Sequence, residues 1–136
     1  MLDDNSEVYR GLSYPFGRQA DPSPGVPERV AEGVYWVRFP MPMSLDHINF
    51  WLLEEDDGWT VVDTCLNVGS SREIWEQLID GFFDGKPITR VICTHMHPDH
   101  VGLAGWLTER FGCELWMSRE EYLMCKAMVA DTGREA

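Results

Sequence analysis

Cationic side chains are scarce in this 136-residue chain: 11 Lys and Arg face 23 Asp and Glu, for a net charge of −12. A surface of that sign repels phosphate backbones, so no nucleic-acid partner is expected. Long apolar runs are missing as well. No stretch approaches the roughly 20 residues that cross a bilayer, and the opening MLDDNSEVYRGL lacks the basic and apolar regions of a secretory signal. Cysteine is limited to Cys65, Cys93, Cys113 and Cys125, with no pair at CxxC spacing. That excludes a zinc knuckle or a CxxC redox motif. A cytoplasmic protein with reduced thiols and no membrane association is the expectation. Histidine is as sparse, with four residues in all, yet three of them fall within THMHPDH at 94–100.

What is present suits one globular domain. Apolar residues make up 44% of the chain, and six Trp and six Phe supply large surfaces for a core. Residues 1–27 are rich in Pro, Gly and Ser without periodicity and read as an extended arm. GVYWVRFP (33–40) reads as a strand ended by Pro-Met-Pro. HINFWLLE (47–54) and WTVVDT (59–64) read as a hairpin, and their nearly continuous apolar character fits strands covered on both faces. Between them Glu54, Glu55, Asp56 and Asp57 form an acidic run, expected to be a solvated hairpin tip.

Helices follow. Ser70 with Glu73 offers a capping box before Ile74, Trp75, Leu78, Ile79, Phe82 and Phe83 at helical spacing, and GKP stops that helix. ITRVICTH (88–95) is a strand. A second helix is expected from about His100 to Arg110, stopped by Gly112. CELWMS is a last short strand, and Ser118 with Glu121 caps a third helix running to about Ala130. The order implies an α/β fold. The alternating second half requires locally parallel strands, and the hairpin makes the sheet mixed.

The histidine cluster lies just after a buried strand and just before a helix, where open α/β sheets present functional groups. His95 and His97 are two apart, so extended backbone projects both rings the same way. Pro98 bends the chain, and Asp99 and His100 face a second point nearby. Imidazole and carboxylate together suit Zn²⁺ or a similar divalent ion. Two such ions a few Å apart activate water near neutral pH and stabilise an anionic leaving group. His-x-His-x-Asp-His arises by chance in about 3 of 10,000 chains of this composition, which separates the cluster from an ordinary core histidine.

THMHPDHVGLAGWL resembles the HxHxDH signature of the metallo-β-lactamase superfamily. WTVVDTCLN resembles its strand ending in Asp-Thr-Gly, and LDHINFWLLEE its earlier Asn-containing strand. The resemblance covers about residues 30–130. It implies the amino-terminal half of an αβ/βα sandwich, placed here at 28–136, in a superfamily of lactamases, thioesterases, lactonases, alkylsulfatases and nucleases. It implies a first metal on His95 and His97, a second on Asp99 and His100, and Asp63 holding the loop from behind. Asp99 would serve as the catalytic acid–base group. A strand-end cap is the plain alternative for Asp63. Cys65 stands where the family usually has Gly, and is either a small buried thiol or a metal contact. His47 matches no ligand position and reads as a structural or pocket-wall residue.

The family completes its site with two further histidines and a bridging acid, and no histidine follows His100. Asp131, beyond the last helix, stands in no matching context. The expectation is therefore part of a zinc-dependent hydrolase acting on an ester, thioester or lactone. The isolated chain would bind metal weakly and turn over little. Association with itself, or with a polypeptide supplying the second half, is expected because a half-fold leaves apolar surface uncovered. A non-catalytic metal-binding or interaction module is the alternative.

Overall fold

A computed structural model of the chain describes residues 6–18 and 20–131. The centre is a six-stranded mixed sheet in the order β3-β4-β5-β6-β7-β8. Its strands are β3 (Glu28–Ala31), β4 (Val34–Pro40), β5 (His47–Glu54), β6 (Trp59–Val62), β7 (Ile88–Ile92) and β8 (Glu114–Trp116). The pairs from β3 to β6 are antiparallel, and β6-β7 and β7-β8 are parallel. The α-helices among the described residues are α1 (Gly69–Gln77), α2 (Pro98–Val101), α3 (Ala104–Phe111) and α4 (Arg119–Ala130). The α/β class and the mixed sheet are as the sequence order implies.

One face of the sheet forms the core. Val37 pairs with Phe50, Phe39 with Ile48, and Leu52 with Val61, and all six side chains are buried. Helix α1 seals this face with Trp75, which stacks on Phe50 at 5.3 Å and lies 5.6 Å from Phe39. Leu103 and Leu107 bring α3 into the same cluster. After Gln77 the helix loosens into a π turn over Leu78–Phe82, closed by Phe83 N–H donating to the Leu78 carbonyl. The extra residue brings Phe82 and Phe83 together onto Trp59.

Coverage of both faces, expected from the apolar runs, does not hold among the described residues. Along β5, Ile48, Phe50 and Leu52 are buried while Asn49 and Trp51 are exposed. The register carries one apolar row straight across the open face: Trp36 opposite Trp51, Trp51 opposite Val62, Val62 opposite Ile92, and Ile92 opposite Trp116. The strands are apolar on both sides, but helices cover only one.

Other local expectations need correction. The arm over 1–27 contains a hairpin, β1 (Glu7–Tyr9) with β2 (Leu12–Tyr14). It turns through Arg10 and Gly11, both with positive φ as primed hairpin turns require. Residues 1–5 and 19 of that arm lie outside the described residues. Tyr14 and Phe16 line a groove with Trp36 and Trp51, so the arm leans on one end of the open face. Strand β3 had no forecast.

Helix α1 starts at Gly69 with Val68 as an extended cap, not at Ser70, and Ser71 is drawn inward to Cys65 Sγ at 3.4 Å. The helix expected over 100–110 is broken at Gly102 and Leu103. A Cβ on Gly102 would lie 2.5 Å from the Pro98 carbonyl and 2.6 Å from that of Cys65, and the Leu103 N–H donates to Thr64 Oγ1. The acidic tip is only partly solvated. Glu55 accepts from Thr60 Oγ1 (2.7 Å), Thr89 Oγ1 (3.0 Å) and Arg90 Nη1 (3.3 Å). Thr60's hydroxyl, with Thr89 and Arg90, holds that carboxyl below its ordinary value against the opposing cost of burial.

Candidate metal centre

Strand β7 leaves the ladder at Cys93, whose N–H still reaches the Trp116 carbonyl at 2.9 Å. The forecast strand ran on to His95, but the next peptide is already captured. Thr94 N–H donates to Asp63 Oδ1 at 2.8 Å, and Thr94 Oγ1 donates to Asp63 Oδ2 at 2.8 Å. Asp63 sits just past β6, almost fully buried, and Oδ2 also meets His100 Nδ1 at 2.9 Å. One carboxylate thus binds both ends of the 94–100 loop.

Donor counting then places a proton on Nδ1 of two imidazoles. A carboxylate only accepts, so His100 Nδ1 carries a proton and donates it to Asp63. Thr94 has spent its one hydroxyl proton on Asp63, so it accepts from His95 Nδ1 at 2.9 Å. His95 Nε2 is then the ring nitrogen turned away from Thr94. It points at His97 Nδ1, 3.1 Å away. His100 Nε2 points at Asp99 Oδ2, 3.6 Å away. The three rings are gathered into one group, His95 and His100 tilted with centroids 3.9 Å apart and His97 edge-on to His95 at 4.6 Å.

These spacings test the fit of a metal. With Zn–N bonds near 2.0–2.1 Å, neighbouring ligands of a tetrahedral zinc stand roughly 3.3 Å apart. His95 Nε2 with His97 Nδ1, and His100 Nε2 with Asp99 Oδ2, each make one such edge. The donor chemistry fits a divalent ion, but each edge is two ligands. Among the described residues no group of three His, Cys, Asp or Glu side chains is arranged to hold a metal ion.

Comparison with known proteins settles the family. The model of the metallo-beta-lactamase superfamily matches residues 43–133. The chain belongs to that superfamily. A beta-lactamase domain protein from Burkholderia ambifaria is 46% identical with a TM-score of 0.80, over 87% of this chain and 39% of its own. A metallo-beta-lactamase family protein from Thermus thermophilus is 29% identical with a TM-score of 0.61, over 69% and 31%. A metallo-beta-lactamase from Pseudomonas aeruginosa, in its mono-zinc form, shares the fold at 22% identity and a TM-score of 0.63, over 77% and 46%. The chain thus spans less than half the length of each of these proteins. Curated proteins give no match.

Within this superfamily fold, the remaining candidates separate. Cys65 is fully buried and bonded to Ser71; burial pushes its thiol up, with Asp99's charge adding to it. It is a core thiol. Its φ of 72° is left-handed, as is that of Asp63 at 67°, which accounts for the glycine the family favours at Cys65. His47 bonds Asp46 at 2.6 Å at the start of β5, apart from the hydrogen-bonded loop. Asp131 is the C-cap of α4.

Three residues that hold the loop escaped the sequence reading. Thr94 holds the His95 ring at Nδ1. Thr64 Oγ1 donates to the His100 carbonyl at 2.8 Å. Glu121 accepts the Met96 N–H at 2.7 Å. Each acts through a contact distant in sequence or through a hydroxyl, and neither leaves a spacing signature. An apolar groove of about 680 Å³ adjoins the loop, lined by His97, Val101, Met117, Tyr122 and Cys125.

Proposed function

We propose that this chain supplies two donor pairs of a zinc-dependent hydrolase acting on an ester, thioester or lactone. His95 and His97 hold one ion, Asp99 and His100 the other. The observation that carries this reading is the set of hydrogen bonds from Asp63 and Thr94 that hold Nδ1 of His100 and His95 and turn both Nε2 atoms toward Asp99 and His97. A divalent ion bound there supplies Lewis-acid polarisation of a carbonyl and of water. Asp99, partly open to solvent, accepts a proton from the attacking water. The groove beside His97 receives the apolar part of a small-molecule substrate.

Two ligands per ion are too few for a catalytic zinc, which takes three from protein. The remaining donors come from further polypeptide packed on the open sheet face, a second half of the fold; another copy of the chain lacks the same residues. Alone, these 136 residues bind metal weakly and turn over little.

Calorimetric zinc titration tests the site. His95→Ala and His100→Ala are expected to abolish measurable binding. Asp63→Asn, which loosens both rings while keeping the ligands, should weaken it about 10–100-fold. Unchanged zinc affinity in His95→Ala and His100→Ala together defeats the reading. Activity is tested on ester, thioester and lactone panels with and without chelator, after mixing with the remainder of the fold. A second reading, a non-catalytic interaction module, draws support from the apolar row Trp36-Trp51-Val62-Ile92-Trp116. Tight partner binding without chelator-sensitive hydrolysis would favour it.

A further inference from the structure

The 94–100 loop has two peptide N–H groups taken by carboxylates from its flanks. Thr94 N–H goes to Asp63, at the end of the neighbouring strand β6. Met96 N–H goes to Glu121 Oε2 at 2.7 Å, from the first turn of α4, which follows the other neighbouring strand β8. Met96 lies between His95 and His97, the pair whose ring nitrogens converge at 3.1 Å.

Glu121 is well suited to a different task. Ser118 Oγ accepts the Glu121 N–H at 3.2 Å, the first half of a capping box. In the full motif the carboxylate returns to the N-cap N–H. Here it reaches across 25 residues of sequence to Met96 instead. Glu120, next to it, is exposed to solvent. No residue of α4 is buried, so packing alone does not dictate where Glu121 sits.

We propose that Glu121 is a positioning residue for the metal loop: by holding the Met96 peptide from α4 it keeps His95 and His97 converged on one ion. Without it, a peptide group outside any ladder loses its partner and the loop is fixed only from the Asp63 side. A charged acceptor makes this one of the stronger bonds in the loop. The inference rests on the metal reading above and adds the residue that sets ligand geometry from the α4 side.

The test uses the full-length protein, with amide exchange at Met96 in metal-free samples and cobalt(II) affinity from visible absorption. Glu121→Ala is expected to speed Met96 exchange at least about 10-fold and to lower cobalt affinity about 10-fold or more. Glu121→Gln, whose amide oxygen still accepts, should restore both to within about threefold of wild type. Ser118→Ala weakens the helix cap without touching the carboxylate, and should leave cobalt affinity unchanged. Unaltered Met96 exchange in Glu121→Ala overturns the hydrogen bond. Affinity that falls equally in Ser118→Ala overturns the positioning role, because helix stability would then explain it. Wild-type protein that takes up no cobalt sinks the metal reading and this role with it. Wild-type protein that binds cobalt, with Glu121→Ala binding it equally well, sinks the positioning role alone.

Discussion

The two faces of the six-stranded sheet carry side chains of similar size and meet different surroundings. On one, Val37, Phe39, Phe50, Leu52 and Val61 disappear beneath α1 and α3. On the other, Trp36, Trp51, Val62, Ile92 and Trp116 line up in register, with Trp51 40% and Trp116 49% exposed. Arg90 lies over Trp116 at 4.2 Å, and the arm covers part of the Trp36–Trp51 end. Neither contact buries the row. The two faces therefore differ in surroundings: helices bury one, and the other keeps an apolar row partly open to solvent. The donor pairs proposed at the end of the sheet would show the same division, since each offers two side chains where a zinc site takes three or more.

The largest expected effect probes that difference directly. Trp75→Ala removes a fully buried indole stacked on Phe50, and leaves the Thr64 carbonyl without the 2.9 Å bond from Nε1. A loss of about 3–5 kcal/mol in urea unfolding is expected. Trp51→Ala on the open face should cost about 1 kcal/mol or less. Light scattering supplies the second readout. The chain is expected to run as a dimer or larger, and Trp51→Ser should shift it toward monomer. Equal stability losses for Trp75→Ala and Trp51→Ala, or a monomeric starting chain, would erase the distinction.

A smaller effect sharpens it where the covered side meets the loop. A Cβ on Gly102 would stand 2.5 Å, 2.6 Å and 2.8 Å from the Pro98 carbonyl, the Cys65 carbonyl and the Asn67 amide nitrogen, all backbone atoms that cannot rotate away. Gly102→Ala is expected to cost about 1–3 kcal/mol, and to weaken zinc binding in calorimetry because α2 carries Asp99 and His100. Wild-type stability in Gly102→Ala would mean that the 65–67 turn and α2 are not pressed together as described.

Much of this was legible in the chain, for reasons that differ by element. The apolar spacing around Trp75 and around Leu107 reports helices because burial selects one helical face. The alternation in β5 was obscured because Asn49 and Trp51 sit between apolar neighbours, and an apolar open face looks like a covered one in sequence. ERVA of β3 is too short and polar to register. The convergence of His95, His97, Asp99 and His100 was legible because the four lie within six positions of one loop. Thr94, Thr64 and Glu121 were not, since their bonds join residues brought together only by the sheet. The break at Gly102 likewise depends on a turn 35 residues earlier in sequence.

The smallest effect tests strain beneath the covered face. Cys65 holds φ at 72°, where a Cβ is disfavoured, and its thiol is buried against Ser71. Cys65→Ala discards the thiol and keeps the strain. Cys65→Gly discards both, at the cost of greater chain entropy in the unfolded state. At ordinary backbone positions Ala is the more stable of the two replacements. Here the order should reverse, with Gly ahead of Ala by roughly 0.5–1 kcal/mol in urea midpoints at matched slope. If Ala were the more stable, the left-handed backbone at Cys65 would not be a source of strain. The preference for glycine at this point of the fold would then need a cause other than φ.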